Sequence, residues 1–332
     1  MKKLLIATGI YPPEIGGPAT YVRELEEGLK NRFKICVVKF SSVSSFPKVI
    51  RHILFFVIVL FKSLRHDIIL ALDPVSVGLP SMYAAKMLRK PFIVKIVGDY
   101  AWEQGVQRYG VTQSLDEFVK TQQTNKYIKR FQKIQKRVAH EANKVLVPSP
   151  YLKDVVMQWG IIESKITIIN NAVTIPVNLP IRKKDKNFLV VSAGRRVPWK
   201  GFEAIEALRE SHPSWQIEII SGRPREEVLS WMKAADVFVL NSLYEGFPHA
   251  LVEAMTLGTP IVATNTRANK NIAGEFGLFI EPEDGRALEN ALSKIEKDPI
   301  AAKERAQKGR ERMKQFELQA MLDTTAHFLD SI

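Results

Sequence analysis

Cysteine is almost missing from this chain. Cys36 is the single one among 332 residues, so no disulfide can close within the chain and no cysteine-built metal cluster can form. A reducing, cytoplasmic setting agrees with that usage. Long apolar runs are missing as well. The run Ile53–Phe61 has nine residues, against the ~20 a helix needs to cross a bilayer. The opening MKKLLIATGIYPP is too short in its apolar part for a signal peptide and reads as a first β-strand. No GxGxxG loop follows that strand, which counts against a dehydrogenase. Acidic residues are scarce in one half only. Residues 1–180 hold 26 Lys+Arg against 13 Asp+Glu, whereas residues 181–332 hold 22 of each, so the whole net charge of +13 belongs to the first half. That asymmetry points to an anionic partner for the first half: a membrane surface, a lipid phosphate or a nucleic acid.

What is present is ordinary for a soluble globular protein, with 46% hydrophobic and 25% charged residues. Apolar, β-branched runs alternate with longer helical patterns, which predicts an α/β class with parallel sheets. Strands are expected at KLLIAT, FKICVVKF, DIILAL, FIVKIV, KVLVPS and KITIIN, then at NFLVVSA, WQIEIIS, DVFVLNS, PIVAT and GLFIE. Between the two series, residues 174–187 (TIPVNLPIRKKDKN) combine proline with charge and read as a linker. The expected organisation is two Rossmann-like domains facing a cleft, residues 1–175 and 187–315. A C-terminal helix, 316–332, packs back on the first domain.

Two segments of the first half bear on its partner. In VIRHILFFVIVLFKSLR (49–65) the apolar run leaves no polar face. This is either a helix buried on both sides or an interfacial surface, with Arg51, His52, Lys62 and Arg65 near lipid headgroups. KTQQTNKYIKRFQKIQKRVAHEANK (120–144) carries eight cations and one acid, Glu141. It reads either as a solvated helix face or as membrane contact. It lacks the aromatic interleaving of a single-strand groove and any recognised nucleic-acid motif, so no nucleic acid is expected.

The stretch NSLYEGFPHALVEAMTLGTPIVA (241–263) carries the chemistry. Glu245 and Glu253 are separated by seven residues around a Gly-Phe-Pro turn that opens a helix. Pro248 suits the first helical position. The amides of Gly246, Phe247 and His249, with the helix dipole, suit a diphosphate. Glu253 lies near enough to the helix start to accept hydroxyl hydrogen bonds from a ligand held there. In SAGRRVPWKGFEA, Arg195 and Lys200 follow a strand, where two cations suit an anionic leaving group. In TGIYPPEIGGPATYV, Gly16 and Gly17 let the backbone approach a ligand at a helix start. Asp99, ending the strand FIVKIVGD, faces the expected cleft or is a helix cap. Trp102 and Glu103, just after it, either line that cleft or pack.

Together these residues resemble the family 4 retaining glycosyltransferases, of a bacterial polysaccharide-type subgroup, over nearly the whole chain. The resemblance rests on an E-x7-E motif, a G-R-x-x-x-x-K-G motif and a di-glycine loop. It implies a GT-B fold and transfer of a sugar, with retention, from a nucleotide-diphosphate sugar to a saccharide or lipid-linked saccharide. In its terms, Arg195, Lys200 and the 246–249 turn hold the diphosphate, Glu253 the ribose, and Glu245 the donor sugar. Gly16 and Gly17 sit against donor and acceptor, Asp99 lies near the acceptor as a catalytic base for its hydroxyl, and Trp102 and Glu103 shape the acceptor pocket. No Asp-x-Asp pair is present, so no metal and no further cofactor are expected. The acceptor is expected at the inner face of the membrane, with the enzyme peripheral to its anionic surface. The chain departs from the pattern twice. One β/α unit is missing after WQIEIISG, which shortens the C-terminal domain, and the family's glutamate after PIVAT falls on Asn271. A sugar-nucleotide epimerase or phosphorylase on the same fold, or a non-catalytic relative binding a nucleotide or a partner at the membrane, are the alternatives.

Overall fold

Among the described residues, eleven strands form where β-branched and aliphatic runs lie between polar turns, each coinciding with one of the expected runs. The computed structural model of the protein describes residues 1–14, 16–185 and 187–332; the Lys48 side chain also lies outside the described set. The first unit, Met1–Asn171 with Leu318–Ile332, begins with β1 (Lys2–Thr8), α1 (Gly17–Leu29), β2 (Phe33–Lys39), α2 (Lys48–Ser63), β3 (Ile68–Ala71) and α3 (Gly78–Leu88). It continues through β4 (Phe92–Lys95), α4 (Tyr100–Arg108), α5 (Leu115–Phe118), α6 (Lys126–Glu141), β5 (Lys144–Val147), α7 (Pro150–Gln158) and β6 (Ile166–Ile168). Its six strands lie parallel in the order β2-β1-β3-β4-β5-β6. β3 and β4 are buried along their whole length, as strands covered by helices on both faces must be.

The second unit, Ala172–Glu317, holds β7 (Phe188–Ala193), α8 (Phe202–Ser211), β8 (Trp215–Ile220), α9 (Arg225–Ala234), β9 (Val237–Leu240) and α10 (His249–Thr256). Then follow β10 (Ile261–Thr264), α11 (Arg267–Ala273), β11 (Leu278–Ile280), α12 (Gly285–Lys297) and α13 (Pro299–Arg312). The sheet is parallel in the order β11-β10-β9-β7-β8. The chain runs from β8 directly through α9 to β9, so β8 is left as an edge strand, and Arg209 donates to the Ile217 carbonyl on it at 3.0 Å. Edge strands are often blunted by such charged side chains.

The stretch read as a linker is stitched to this second unit. Val173 N–H donates to Phe316 O at 3.0 Å, Ile175 and Leu179 pack on its core, and Arg182 and Lys184 pair with Glu227 and Asp236. Lys186 of that stretch, like Ile15 of the di-glycine loop, is outside the described residues. The last helix, α14 (Leu318–Asp330), belongs to the first unit, where it packs on α1. Gly28 makes that approach possible, because a Cβ there would lie 2.3 Å from Leu322 Cδ1. Lys2 Nζ donates to the carbonyls of Leu329 and Asp330, at 3.3 and 2.8 Å.

The alternative that α2 is buried on both sides is overturned. Phe55 and Val59 are buried, but Val49, Ile53, Val57, Phe61 and Leu64 are exposed, Phe61 by 65%. An apolar run without polar breaks says that a helix can be buried, not which of its sides will be.

Candidate active site in the second unit

The loops that follow β7 and β9 lie at the carboxyl ends of adjacent strands, where open α/β sheets place ligands. Three contacts zip them together. Leu243 N–H donates to Trp199 O at 2.8 Å, Asn241 Nδ2 donates to Gly201 O at 2.9 Å, and Lys200 Nζ donates to Glu245 Oε1 at 2.6 Å. Gly201 is required there. Its φ is +59°, and a Cβ would lie 2.4 Å from Asn241 O. The Lys200 and Glu245 side chains are 14% and 13% exposed, so the pair is charge-assisted and mostly shielded from water. Arg195 stands exposed on the same loop, with no partner among the described residues. Its neighbour Arg196 is engaged with Glu206 of α8 at 2.8 Å.

α10 begins at His249, so Pro248 is its N-cap, one position before the expected one. His249 N–H, one of the expected diphosphate donors in the turn, donates to Phe247 O at 2.9 Å. Phe247 is buried against the core and meets Phe316 edge-on at 5.7 Å. Gly246 lies in the loop before it.

Glu253, on α10, is held by a residue that the sequence reading did not include. Arg225, at the start of α9, donates to Glu253 Oε1 from Nε at 2.9 Å and approaches it from its second nitrogen at 2.8 Å. The same guanidinium donates to Thr174 O at 2.8 Å. Burial pushes the Glu253 carboxyl up, and Arg225 pulls it back down. Arg225 belongs to GRPREEVL, between the end of β8 and the first turn of α9. A basic residue just past a strand's carboxyl end was the available signal.

Beyond β10, the buried polar residue is Asn269, whose Nδ2 donates to Thr264 O at 3.0 Å. Asn271 is exposed, and its carbonyl accepts from Arg312. The side chain turned toward the end of β10 is therefore Asn269 rather than Asn271.

In the first unit, Gly16 is the N-cap of α1 and Gly17 its first residue. Asp99 is 1% exposed. It caps α4, with Oδ1 accepting from Trp102 N–H at 2.9 Å and Oδ2 from the Trp159 indole at 3.2 Å. Burial raises its carboxyl above the usual range. The cap alternative describes this geometry, and both oxygens are engaged. Trp102 is a core residue whose indole donates to Gln113 O at 2.9 Å, so the packing alternative describes it rather than a pocket wall. Glu103 follows it on α4, half-buried.

Residues 15–175 match the sequence model of Glycosyltransferase Family 4, and residues 181–312 that of Glycosyl transferases group 1. The chain thus carries, in this order, the two glycosyltransferase domains that these models describe. Among related glycosyltransferases, an MMP alpha-(1->4)-mannosyltransferase of Mycolicibacterium hassiacum is 25% identical over 55% of this chain and 52% of its own. A UDP-Gal:alpha-D-GlcNAc-diphosphoundecaprenol alpha-1,3-galactosyltransferase of Escherichia coli is 38% identical over 23% of this chain and 20% of its own. The chain thus spans at most about half the length of these curated relatives. Among solved structures, sucrose-phosphate synthase from Thermosynechococcus elongatus superposes with a TM-score of 0.80 at 18% identity, over 100% of this chain and 99% of that one. HepE of Anabaena, in complex with UDP-glucose, gives 0.76 at 15% identity over the whole of both chains. At such identities the likeness is one of fold, and that glycosyltransferase fold is GT-B.

Proposed function

We propose that this protein is a retaining glycosyltransferase that moves a sugar from a nucleotide-diphosphate sugar to a saccharide or lipid-linked saccharide of a cell-envelope polysaccharide or glycolipid. The observation that carries the reading is the shielded Lys200–Glu245 pair, at the carboxyl ends of β7 and β9 and beside the start of α10. When donor binds, Lys200 and the exposed Arg195 face the diphosphate, whose charge grows as the sugar–oxygen bond breaks. Glu245, already held at one oxygen, has its second oxygen for a sugar hydroxyl. Glu253 is assigned to the ribose. In HepE the bound donor is UDP-glucose, and the galactosyltransferase of Escherichia coli is named for a UDP donor and a diphosphoundecaprenol acceptor. Both support a nucleotide-sugar donor for this chain, and the galactosyltransferase's name supports a lipid-linked acceptor. The proposed setting is the inner face of the membrane, with the protein peripheral to it and no metal needed.

The test is metal-free nucleotide release from UDP-, GDP- and ADP-sugars by the wild type, Lys200→Ala and Glu253→Ala, with and without candidate lipid-linked acceptors. Release from one donor, lost in both variants, supports the reading, and the product's anomeric configuration by NMR decides retention. Donor binding without turnover under any acceptor would favour the non-catalytic alternative. Conversion of donor alone to an epimer, or dependence on phosphate, would favour the other two.

A further inference from the structure

The sheet of the first unit carries helices on two faces. The β1–α1–β2 crossover runs toward one edge, whereas those through α2, α3 and α6 run toward the other. Right-handed crossovers therefore put α1 on one face and α2, α3 and α6 on the opposite face. Contacts agree with this: α14 joins α1, α2 packs on α3, and α3 packs on α6. Arg137 of α6 stacks over Tyr83 of α3 at 5.4 Å, and Lys86 of α3 pairs with Glu141 of α6 at 3.2 Å.

The solvent side of this layer is unusual. On α2 the exposed Val49, Ile53, Val57 and Phe61, with Leu64 just past its end, recur at helical spacing as one stripe along the whole helix, opposite the buried Phe55 and Val59. On the adjoining α3, Met87 is 65% exposed and Tyr83 is partly so. Single exposed apolar side chains are ordinary, but a continuous stripe marks an interaction surface. On α6 the exposed cations Lys126, Lys129, Arg130, Lys133 and Arg137 also fall on one side, opposite the buried Ile128, Gln135 and Val138. None of these five is in an ion pair among the described residues.

We propose that the α2–α3–α6 layer is the surface on which this protein docks to an anionic bilayer. The α2 stripe seats among the lipid tails near the headgroup boundary, and the α6 cations lie on headgroup phosphates. Charge complementarity selects a bilayer over a protein partner. Protein interfaces are depleted in lysine, and a second copy meeting this layer would bring two rows of cations together. The inference deepens the reading of a membrane-held acceptor, on which it rests, by naming the face that meets the membrane. The α1–α14 face is left in water.

The test is flotation of the full chain with vesicles of phosphatidylcholine alone and of phosphatidylcholine mixed with phosphatidylglycerol. The variants are Ile53→Ser/Phe61→Ser, Lys129→Gln/Arg130→Gln/Lys133→Gln and, on the α1 face, Arg23→Gln/Lys30→Gln. Circular dichroism and Tm verify folding, which these exposed positions leave intact. The wild type floats with the mixed vesicles, the α1-face variant equally well, and the triple variant binds about a hundred-fold more weakly. The stripe variant also loses binding, and added salt weakens the wild type. No flotation with mixed vesicles, or wild-type flotation of both layer variants, overturns the proposal. So does a concentration-dependent dimer that the stripe variant abolishes, in a wild type that ignores vesicles. Nucleotide release in solution is measured on the same samples. Flotation lost with release intact supports docking, whereas flotation intact in the wild type with no turnover refutes the transferase reading alone.

Discussion

The two units handle charge in opposite ways. In the second, cations and carboxylates are nearly matched in number, 22 to 20, and many are matched in space: Lys200 with Glu245, Arg225 with Glu253, Arg196 with Glu206, Lys184 with Asp236. The pairs nearest the strand ends are also the most shielded. In the first, 26 cations stand against 15 acids, and the densest row of them, on α6, has no acidic partner among the described residues. Matched, shielded charge is costly to disturb and fixes geometry. Unmatched, exposed charge costs little and is free to meet something outside the molecule. One unit is thus built around an internal polar site and the other around an external surface.

The sharpest way to break that contrast is at Lys200. Lys200→Met leaves the Glu245 carboxylate shielded and unpaired, and should lower stability by about 3 kcal/mol and turnover by ~10²–10³-fold. Lys200→Met/Glu245→Leu should restore the stability but not the turnover. Denaturant melts and nucleotide-release rates on both variants check this, and a single variant as stable as wild type would contradict it.

Next comes the exception within the first unit. Lys95, at the end of β4, is fully buried, with Nζ donating to Asn171 Oδ1 at 2.7 Å and lying 3.6 Å from the centre of the Tyr21 ring. Burial brings its pKa down to about 7. The unfolded lysine titrates near 10.5, so between those values the unfolded chain holds more protons. Stability should therefore rise with pH from about 7 toward 10. The Tyr21 ring favours the cation and trims the effect to about 2 kcal/mol. Lys95→Met should flatten that rise; a Tm series across this pH range decides.

Arg225→Gln should act with the opposite sign. Glu253 then loses the partner that opposes its burial, so its folded pKa rises further above the unfolded value. A carboxyl raised in this way favours the fold at low pH and loses that advantage as pH rises through the folded pKa. The variant should cost about 1–2 kcal/mol more at pH ~8 than at pH ~5, with Arg225 partly exposed. Equal losses at both ends would mean that Glu253 is not held as an ion. At the small end, Lys133→Gln should change stability by no more than ~0.5 kcal/mol. A larger loss would show that the α6 row is structural after all.

Much of the architecture was legible before the structure. The β-branched runs predicted all eleven strands, because a parallel strand buried on both faces has few ways to be written. The absence of a strand between WQIEIIS and DVFVLNS gave the chain's direct passage from β8 to α9 and β9. The site was legible where it is local. GRRVPWKG and NSLYEGFPHALVE lie directly after strands, and the fold brings Lys200 to Glu245. It was not legible where it depends on distance. Arg225 meets Glu253 across 28 positions of sequence, and no local pattern announces the pair. Asp99 and Trp102 carried two readings each because an aspartate before a helix is written alike whether it caps or catalyses. The Trp102 amide on one oxygen gives the capping geometry, and the Trp159 indole, sixty residues on, takes the other.

The return of α14 to the first unit has a consequence for synthesis. That unit is encoded in two pieces, with the whole of the second unit between them. A ribosome delivers its sheet early, yet the groove over Gly28 stays uncovered until Leu322 arrives. The second unit can therefore close on itself while the first is still unfinished, and a pause or truncation late in translation would strike the part of the molecule that was made earliest.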